Sequence, residues 1–224
     1  MTDIHGKFSD IYKNAYWKSK ESSSGSGSEI EQAETLVQYL GWFIVKENIQ
    51  SIVDCPCGDM TWQTLLVSAV KRYVGCDIVP ELINDNIVRL IETANPKPTN
   101  LGFRVLDITK DPIPDCDLLM VRDCLNHLPN EQVLEAIQNI VRSGAKWVGI
   151  TTFPNRTDGN TDIEVGKWRP INLQRPPFNM PFPNHIFIEQ CTEAEGHYRD
   201  KSMAVWNVEM LRDLMNLPEY DVKD

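Results

Sequence analysis

The sequence predicts an open, mostly parallel α/β sheet covered by helices on both faces. Five short apolar runs, rich in branched residues, have the composition of strands buried on both faces. These runs are SIVDCP (51–56), YVGCDI (73–78), FRVLDI (103–108), DLLMVRD (117–123) and WVGITTF (147–153). Helical segments lie between several of them, and alternation of strands with helices implies parallel pairing.

Apolar periodicity and end signals predict the helices. Residues 29–48 have a helical apolar face, with Ser28 as the expected cap and Glu31 completing a capping box. Further helices are predicted at Thr61–Lys71, Pro80–Ala94 and Asn130–Arg142, the last with Asn130 as its cap. The C-terminal part adds strands near His185–Gln190 and Ser202–Trp206, then a helix, Val208–Met215, capped by Asn207.

The 224 residues suit one domain, 30–224, preceded by an N-terminal arm, 1–29. The arm ends in the serine–glycine stretch 21–28, which has the composition of a flexible linker. Its amides and hydroxyls could instead close over a ligand as a lid. Residues 154–185 are rich in Pro, Asn, Arg and aromatic residues with little periodicity, and a loop this long is usually functional.

Composition narrows the class of partner. The net charge of −10 and the absence of a basic cluster argue against nucleic acid and favour a neutral small molecule, a glycan or a protein. No apolar run approaches a membrane span, and the first ten residues lack the pattern of a signal peptide, so we expect a cytoplasmic protein. Cys55 and Cys57 have no second pair, which favours free thiols over a metal site among the six cysteines.

Acidic residues follow the predicted strands where each one ends. The first strand leads into Asp54-Cys-Pro-Cys-Gly58-Asp59, the second and third end at Asp77 and Asp107, and the fourth at Arg122-Asp123. In an open α/β sheet, ligands bind at this carboxyl edge. Because buried carboxylates are costly without partners, we expect them to line a polar pocket.

The spacing indicates a nucleoside cofactor. Asp77 lies 23 residues after Asp54, close to the position from which an acidic residue binds a ribose diol. The turn has one glycine, Gly58, and then Asp59, whose charge would repel a pyrophosphate. This disfavours NAD and FAD and favours a cofactor that carries a cation, such as S-adenosylmethionine.

The series VDCPCGD, GCDI, VLDI and DLLMVRDCLNHL resembles the motifs of class I S-adenosylmethionine-dependent methyltransferases over about residues 51–153. The resemblance implies a Rossmann-like, seven-stranded sheet with an antiparallel C-terminal strand, and a reaction that releases S-adenosylhomocysteine. It also implies roles for the strand-end residues, with Trp62 counted among the cofactor contacts. The methionine part would be lined by Asp54, Pro56, Gly58 and Asp59. The ribose and adenine would be held by Asp77 and Ile78, and the adenine would be flanked by Asp107 and Ile108. The pocket would be closed near the methyl group by Arg122 and Asp123.

The flanking segments FSDIYKNAYW, ESSSGSGS, GKWRPINL, RPPFNMPFP and RDKSMAVW resemble a narrower group, the methyltransferases found with glycan-assembly enzymes. This implies O-methylation of a sugar, for example a deoxyhexose such as rhamnose. It also favours the lid interpretation of the serine–glycine stretch, with Trp17 and Ser26 as cofactor contacts.

Asp123 and His127 are the candidate catalytic residues. They are four apart, so in a helix they would share one face, and an aspartate can orient an imidazole that acts as general base. Asp123 could itself be the base, or His127 could be a packing residue beside Leu125 and Leu128. The loop supplies side chains suited to sugar recognition, unless its aromatic residues are buried in the loop itself: Trp168, Arg169, Asn172, Arg175, Phe178 and Asn179.

Three other functions stay open. The acceptor could be a protein or a small metabolite, or the chain could be a cofactor-binding module without activity. Dinucleotide-dependent oxidoreduction is disfavoured by Asp59 and the missing glycines.

Overall fold

The computed structural model, which describes residues 3–215, contains one sheet of seven strands. The strands are β1 (Ser51–Asp54), β2 (Arg72–Asp77), β3 (Leu101–Val105), β4 (Leu118–Val121), β5 (Trp147–Thr152), β6 (His185–Ile188) and β7 (Ser202–Asn207). They pair in the order β3-β2-β1-β4-β5-β7-β6, and only the pairs that involve β7 are antiparallel. The predicted Rossmann-like sheet with an antiparallel C-terminal strand is confirmed.

The order of the strands explains where a ligand can bind. β1 lies between β2 and β4, so the chain reverses its progress across the sheet between β3 and β4. Asp54 at the end of β1 pairs in register with Gly75 of β2 and Met120 of β4. The residues that follow β1, β2 and β4 therefore meet at one edge, beside the topological switch point.

Helices cover both faces of the sheet, and successive residues of the central strands pack against the helices on opposite faces. Ile52 packs with Leu36 and Phe43, whereas the next residue, Val53, packs with Val133 and Ile137 on the opposite face. The helices are α1 (Ile4–Lys13), α2 (Ile30–Lys46), α3 (Thr64–Val67), α4 (Pro80–Ile87), α5 (Asn130–Arg142) and α6 (Val208–Leu214). In the described part of the chain, no helix combines the length and the apolar character needed to cross a membrane.

The helix ends differ from prediction where tertiary contacts outweigh local signals. α2 begins at Ile30, and Ser28 belongs to a preceding 3₁₀ turn, so the predicted capping box is wrong. α3 is one turn long, much shorter than Thr61–Lys71. Asn130 lies inside α5 instead of capping it. Asn207 does cap α6, because its side chain accepts a hydrogen bond from the Met210 amide at 3.0 Å.

The N-terminal arm is more ordered than its composition indicates. α1 was not predicted, and it begins after Asp3, whose carboxylate accepts a hydrogen bond from the Gly6 amide. Tyr12 in α1 donates to Asp85 of α4 at 2.6 Å, and Lys13 pairs with Glu81 at 2.7 Å. The arm is therefore fixed against α4, beside the switch point.

Candidate active site

A cavity of about 480 Å³ lies at the carboxyl edge of β1, β2 and β4. The turns after these strands form its floor, and residues 22–28, which we call the strap, cross above the turn after β1. A volume of this size is typical of sites for small ligands. The predicted residues on its wall are Trp17, Ser26, Pro56, Gly58, Asp59, Trp62, Asp77, Ile78, Asp107, Ile108, Arg122, Asp123, His127 and Trp168.

Asp77 is held in place by backbone amides. Its two carboxylate oxygens accept hydrogen bonds from the amides of Gly58 (3.2 Å) and Val79 (3.1 Å). Burial raises the pKa of Asp77 to about 6, although these hydrogen bonds favour the charged form. The carboxylate lies on the cavity wall, where it can accept hydrogen bonds from a pair of ligand hydroxyls such as a ribose diol.

Asp54 lies beneath the cavity wall instead of on it. It is fully buried, and one carboxylate oxygen accepts a hydrogen bond from the Tyr73 hydroxyl at 3.0 Å. The other oxygen has no hydrogen-bond partner within residues 3–215. Burial raises the pKa of Asp54 to about 7. The expectation that Asp54 lines the pocket directly is therefore not met, because the turn that follows it covers its side chain.

The strap forms hydrogen bonds with both the side chain and the backbone of Asp59. The Asp59 carboxylate accepts hydrogen bonds from the Ser22 hydroxyl (3.0 Å) and the Ser23 amide (2.7 Å), while the Asp59 amide donates to the Ser24 hydroxyl (3.1 Å). Gly58 has φ of 52°, and a Cβ atom there would lie 2.4 Å from the Ser24 hydroxyl oxygen. Glycine is therefore required both by the backbone and by the contact with the strap.

Asp107 is also held by its own turn. Its carboxylate accepts hydrogen bonds from the Thr109 amide (3.0 Å) and hydroxyl (2.7 Å) and pairs with Lys110 at 3.0 Å. Burial favours the neutral form, but these interactions outweigh it and hold the pKa of Asp107 below its ordinary value. The adjacent Ile108 offers an apolar surface to the cavity.

Two cations and two carboxylates form a buried cluster at the end of β4. Arg122 binds Glu189 through both guanidinium Nε and Nη2, the shortest distance being 2.8 Å, and lies 5.2 Å above the Trp62 ring. Arg122 also lies 3.4 Å from Asp123, and Lys201 pairs with Asp123 directly and with Glu189 at 3.6 Å. Burial favours the neutral acid, but the two cations outweigh it and lower the pKa of Asp123. Asp123 is therefore charged and ion-paired, which makes it a poor general base.

His127 has the geometry of a general base. Its ring lies 4.5 Å from the Trp17 ring, and Nδ1 lies 3.0 Å from the Lys167 carbonyl oxygen. Because a carbonyl can only accept, Nδ1 carries the proton and Nε2 keeps its lone pair. Nε2 makes no hydrogen bond within the part of the chain that the structure describes. Burial lowers the pKa of His127 to about 4, so the ring is neutral near pH 7.

The orienting partner of His127 differs from the prediction. Asp123 has φ of 50°, and only Leu125–His127 form a 3₁₀ turn, so no α-helical face joins Asp123 to His127. The Lys167 carbonyl takes the orienting role that was expected of Asp123, while Asp123 is engaged by Lys201.

Three aromatic rings form a corner of the cavity. Phe153, Trp168 and Tyr198, which we call the aromatic corner, have ring centroids 4.7–6.0 Å apart and meet edge to face. Trp168 is 40% exposed. The corner therefore offers an apolar surface to a bound molecule.

The loop 154–185 brings only Trp168 to this wall. Arg169 and Asn172 are buried and bound within the protein, Arg169 to the Asn130 side chain of α5 and Asn172 to the Pro154 and Arg156 carbonyls of the loop. Phe178 belongs to the apolar core. Arg175 and Asn179 are exposed but do not line the cavity. The buried polar side chains of the loop therefore bind α5, the turn before it and the loop backbone, which composition alone does not reveal.

Sequence reasoning missed four residues that lie between β6 and β7. Glu193, Tyr198 and Lys201 line the cavity, and Glu189 lies beneath it. This connection has no periodic pattern, and the only signal was the run RDKSMAVW, which includes Lys201.

The described residues offer no metal centre. Within 3–215, no three His, Cys, Asp or Glu side chains are grouped so that they could hold a metal ion. All six cysteines are free thiols, and five of them are buried.

Comparisons with known proteins bear on the domain family and the fold. A family model described as a methyltransferase domain matches residues 53–148. No curated protein matches the chain by sequence. Among solved structures, the bacterial CtHen1 methyltransferase domain matches over 54% of this chain, which spans slightly less than two thirds (66%) of that domain, at 12% identity and a TM-score of 0.48.

Two other structures match more fully. Magnesium protoporphyrin IX methyltransferase from Synechocystis PCC 6803 with bound S-adenosylmethionine has a TM-score of 0.55 at 14% identity, covering 73% of this chain and 81% of that one. N-methyltransferase NodS from Bradyrhizobium japonicum WM9 with S-adenosylhomocysteine has a TM-score of 0.51 at 16% identity, covering 65% and 74%. At these identities the likeness concerns the fold. Together with the family model over residues 53–148, it identifies a class I S-adenosylmethionine-dependent methyltransferase domain within the chain.

Proposed function

We propose that this enzyme transfers the methyl group of S-adenosylmethionine to a hydroxyl of a sugar, in a glycan or a glycan precursor, with His127 as the general base. The observation that carries the proposal is the state of His127 on the cavity wall. Its Nδ1 proton is committed to the Lys167 carbonyl, and Nε2 makes no hydrogen bond within residues 3–215, so Nε2 can accept a proton from a bound hydroxyl.

The charges of the wall suit the cofactor. Arg122 and Lys201 are the only cationic side chains on the wall within the described residues, whereas five carboxylates line it: Asp59, Asp77, Asp107, Asp123 and Glu193. S-adenosylmethionine carries a sulfonium and an ammonium, which an acidic wall attracts. The family resemblance assigns ribose and adenine to Asp77, Ile78, Asp107 and Ile108, and all four lie on the wall.

The strap is suited to cover the cofactor. It is joined to the turn after β1 through Asp59, and the Ser26 hydroxyl donates to Glu193 across the cavity mouth. Trp17, against His127, closes the same side. We therefore assign the N-terminal arm, 1–29, the role of a lid, which excludes water from a displacement at the methyl group.

The acceptor end suits a neutral polyhydroxyl compound. The aromatic corner can pack on the apolar face of a sugar ring, and neighbouring carboxylate and ammonium groups can bind its hydroxyls. The cytoplasmic location expected from the sequence stays a prediction.

In the transfer step, the acceptor oxygen attacks the methyl carbon in line with the sulfur. The oxygen–carbon bond forms as the carbon–sulfur bond breaks, and Nε2 of His127 takes the hydroxyl proton. The products are a methyl ether, S-adenosylhomocysteine and protonated His127, which then releases its proton to solvent. The Lys167 carbonyl keeps the ring oriented throughout.

The test is a labelled-methyl assay with sugars, peptides and amines as acceptors, carried out on the wild type and on His127→Gln. Transfer to sugars is expected, with kcat about 10²- to 10⁴-fold lower in the variant and S-adenosylhomocysteine affinity unchanged. The exposed His5→Gln in α1 is the matched control and should resemble wild type. Transfer to peptides or amines alone would refute the sugar acceptor, and full activity in His127→Gln would refute the base.

The pH profile tests the same assignment. A base must be unprotonated, so activity is lost as pH falls through its pKa. With a pKa of about 4, the rate should be level from about pH 6 to 8 and decline only as pH approaches 4. Near-ultraviolet circular dichroism at each pH separates this decline from unfolding. A rate that titrates near the ordinary histidine pKa would contradict the lowered pKa of His127.

A further inference from the structure

We propose that the connection between β6 and β7, residues 189–201, is the acceptor-specificity element, and that it holds a neutral pyranose ring whose apolar face lies in the aromatic corner. This deepens the proposed function and rests on it. The long loop 154–185, from which the sequence predicted sugar contacts, contributes Trp168 but not the remaining acceptor surface.

The connection supplies three chemically different groups to the cavity. Tyr198 completes the aromatic corner, with its ring centroid 4.7 Å from that of Trp168. Glu193 offers a carboxylate, and Lys201 offers a buried ammonium beside Asp123. An aromatic face, an acceptor and a donor on one segment are the groups that a sugar ring requires.

The segment is held firmly enough to discriminate between ligands. At one end, the side chain of Gln32 and Thr192 exchange two hydrogen bonds, of 2.7 and 3.2 Å. At the other end, Asp200 accepts a hydrogen bond from the Asn155 amide and the His197 carbonyl accepts one from Arg156. These anchors fix the segment to α2 and to the loop after β5, so Tyr198 and Glu193 are presented on a defined surface.

The charges around the corner favour a neutral acceptor. The Arg156 guanidinium lies 5.5 Å from the Tyr198 ring without lining the cavity, and Lys201 lies on the cavity side. A cationic ligand in the corner would be repelled by Lys201 on the wall and by Arg156 behind the Tyr198 ring. An anionic ligand would meet Glu193 and Asp123. A sugar avoids both repulsions and can still use each group as a hydrogen-bond partner.

The experiment compares Tyr198→Ala with Arg175→Ala, a change in the long loop away from the cavity. The probes are methyl α-L-rhamnopyranoside and methyl α-L-mannopyranoside, which differ only at C6, a methyl group in the first and a hydroxymethyl group in the second. Saturation-transfer NMR on the enzyme loaded with S-adenosylhomocysteine reports binding, and labelled-methyl transfer reports turnover.

Tyr198→Ala should weaken rhamnoside binding and raise its KM by about tenfold or more, while S-adenosylhomocysteine affinity stays within about twofold of wild type. Arg175→Ala should leave both unchanged, and the rhamnoside C6 methyl should show the strongest saturation. If Tyr198→Ala does not fold, Tyr198→Leu keeps the bulk without the aromatic face and gives the same comparison.

Failure of the specificity element and failure of the proposed function would give different results. Sugar turnover that is insensitive to Tyr198 substitution would overturn the specificity element and leave the proposed function standing. Transfer only to amines or peptides, with neither sugar bound by the wild type, would overturn both.

Discussion

At the scale of single residues, the fate of each buried carboxylate depends on the partner that it meets. Asp123 lies against Lys201 and Arg122, and its pKa is lowered despite burial. Asp54 accepts a hydrogen bond from a neutral donor, the Tyr73 hydroxyl, and burial outweighs this bond and raises the pKa of Asp54 to about 7. Two aspartates at the ends of neighbouring strands therefore differ in protonation: Asp123 is an ion-paired anion, whereas Asp54 is a buried acid with a raised pKa.

This difference predicts how Asp54→Asn changes the dependence of stability on pH. The pKa of Asp54 rises from 3.8 to about 7 on folding, so the folded state binds more protons in this window. The stability due to the protonated acid is complete below pH 3.8 and is lost as pH rises through 7. Between these two values, each pH unit changes the folding equilibrium constant by about tenfold. Asparagine cannot ionise, so the melting temperature of the variant minus that of wild type should increase from about pH 5 to pH 8.

Thermal unfolding of both proteins across that range measures the difference, and other titrating groups cancel because they are common to both. Asp213→Asn, an exposed change in α6, is the control and should show no such trend. A difference in melting temperature that is constant with pH would contradict the buried, protonated Asp54.

Single residues also show how far the sequence could predict the site. Gly58, Asp77 and Asp107 were predicted because the turns after parallel strands must meet at one edge. Lys201 and Glu189 were not, since they lie 78 and 67 residues from their partners along the chain and meet them only when β6 and β7 join the sheet. Which way a loop side chain faces depends on the partners that it meets in the folded chain, as with Asn172 and the Pro154 and Arg156 carbonyls, and composition does not encode that choice.

At the scale of elements, the strap is the part whose role depends most on hydrogen bonds. Ser22 is 2% exposed, donates to Asp59 and accepts from the Ser24 amide. A hydrogen bond to a charged group contributes about 1.5–3 kcal/mol. If the strap covers the cofactor, Ser22→Ala should therefore release S-adenosylhomocysteine about tenfold faster or more. Stopped-flow tryptophan fluorescence can follow the release, because Trp17 and Trp62 line the cavity.

Ser68→Ala, an exposed serine after α3, provides the matched control and should leave the rate of release unchanged. Equal rates of S-adenosylhomocysteine release from Ser22→Ala and wild type would mean that the strap does not retain the cofactor.

The strap also illustrates a limit of prediction from sequence, since a serine–glycine composition predicts flexibility. In the folded chain, the hydroxyls of Ser22 and Ser23 instead donate hydrogen bonds to the carboxylate of Asp59, which is 37 and 36 residues away from them in the sequence.

At the scale of the whole molecule, the order of strands explains why these elements form one site. β1 and β4 lie side by side at the switch point, so the turn after β1 is next to Arg122 and Asp123, which follow β4. The antiparallel hairpin of β6 and β7 brings Glu189 and Lys201 to the same edge. The sheet could be predicted from strand periodicity, whereas the extra layer contributed by α1 and the hairpin connection depends on tertiary contacts.

The most direct test of the account is a calorimetric titration of the 224-residue protein with S-adenosylmethionine, S-adenosylhomocysteine and NAD in parallel, on the wild type and on Asp77→Ala. We expect micromolar binding of both sulfur nucleotides, no binding of NAD, and a loss of at least about tenfold in affinity when the carboxylate of Asp77, which we propose binds the ribose, is removed. Absence of sulfur-nucleotide binding by a folded wild type, or unchanged affinity in Asp77→Ala, would contradict the assignment of this cavity to the cofactor.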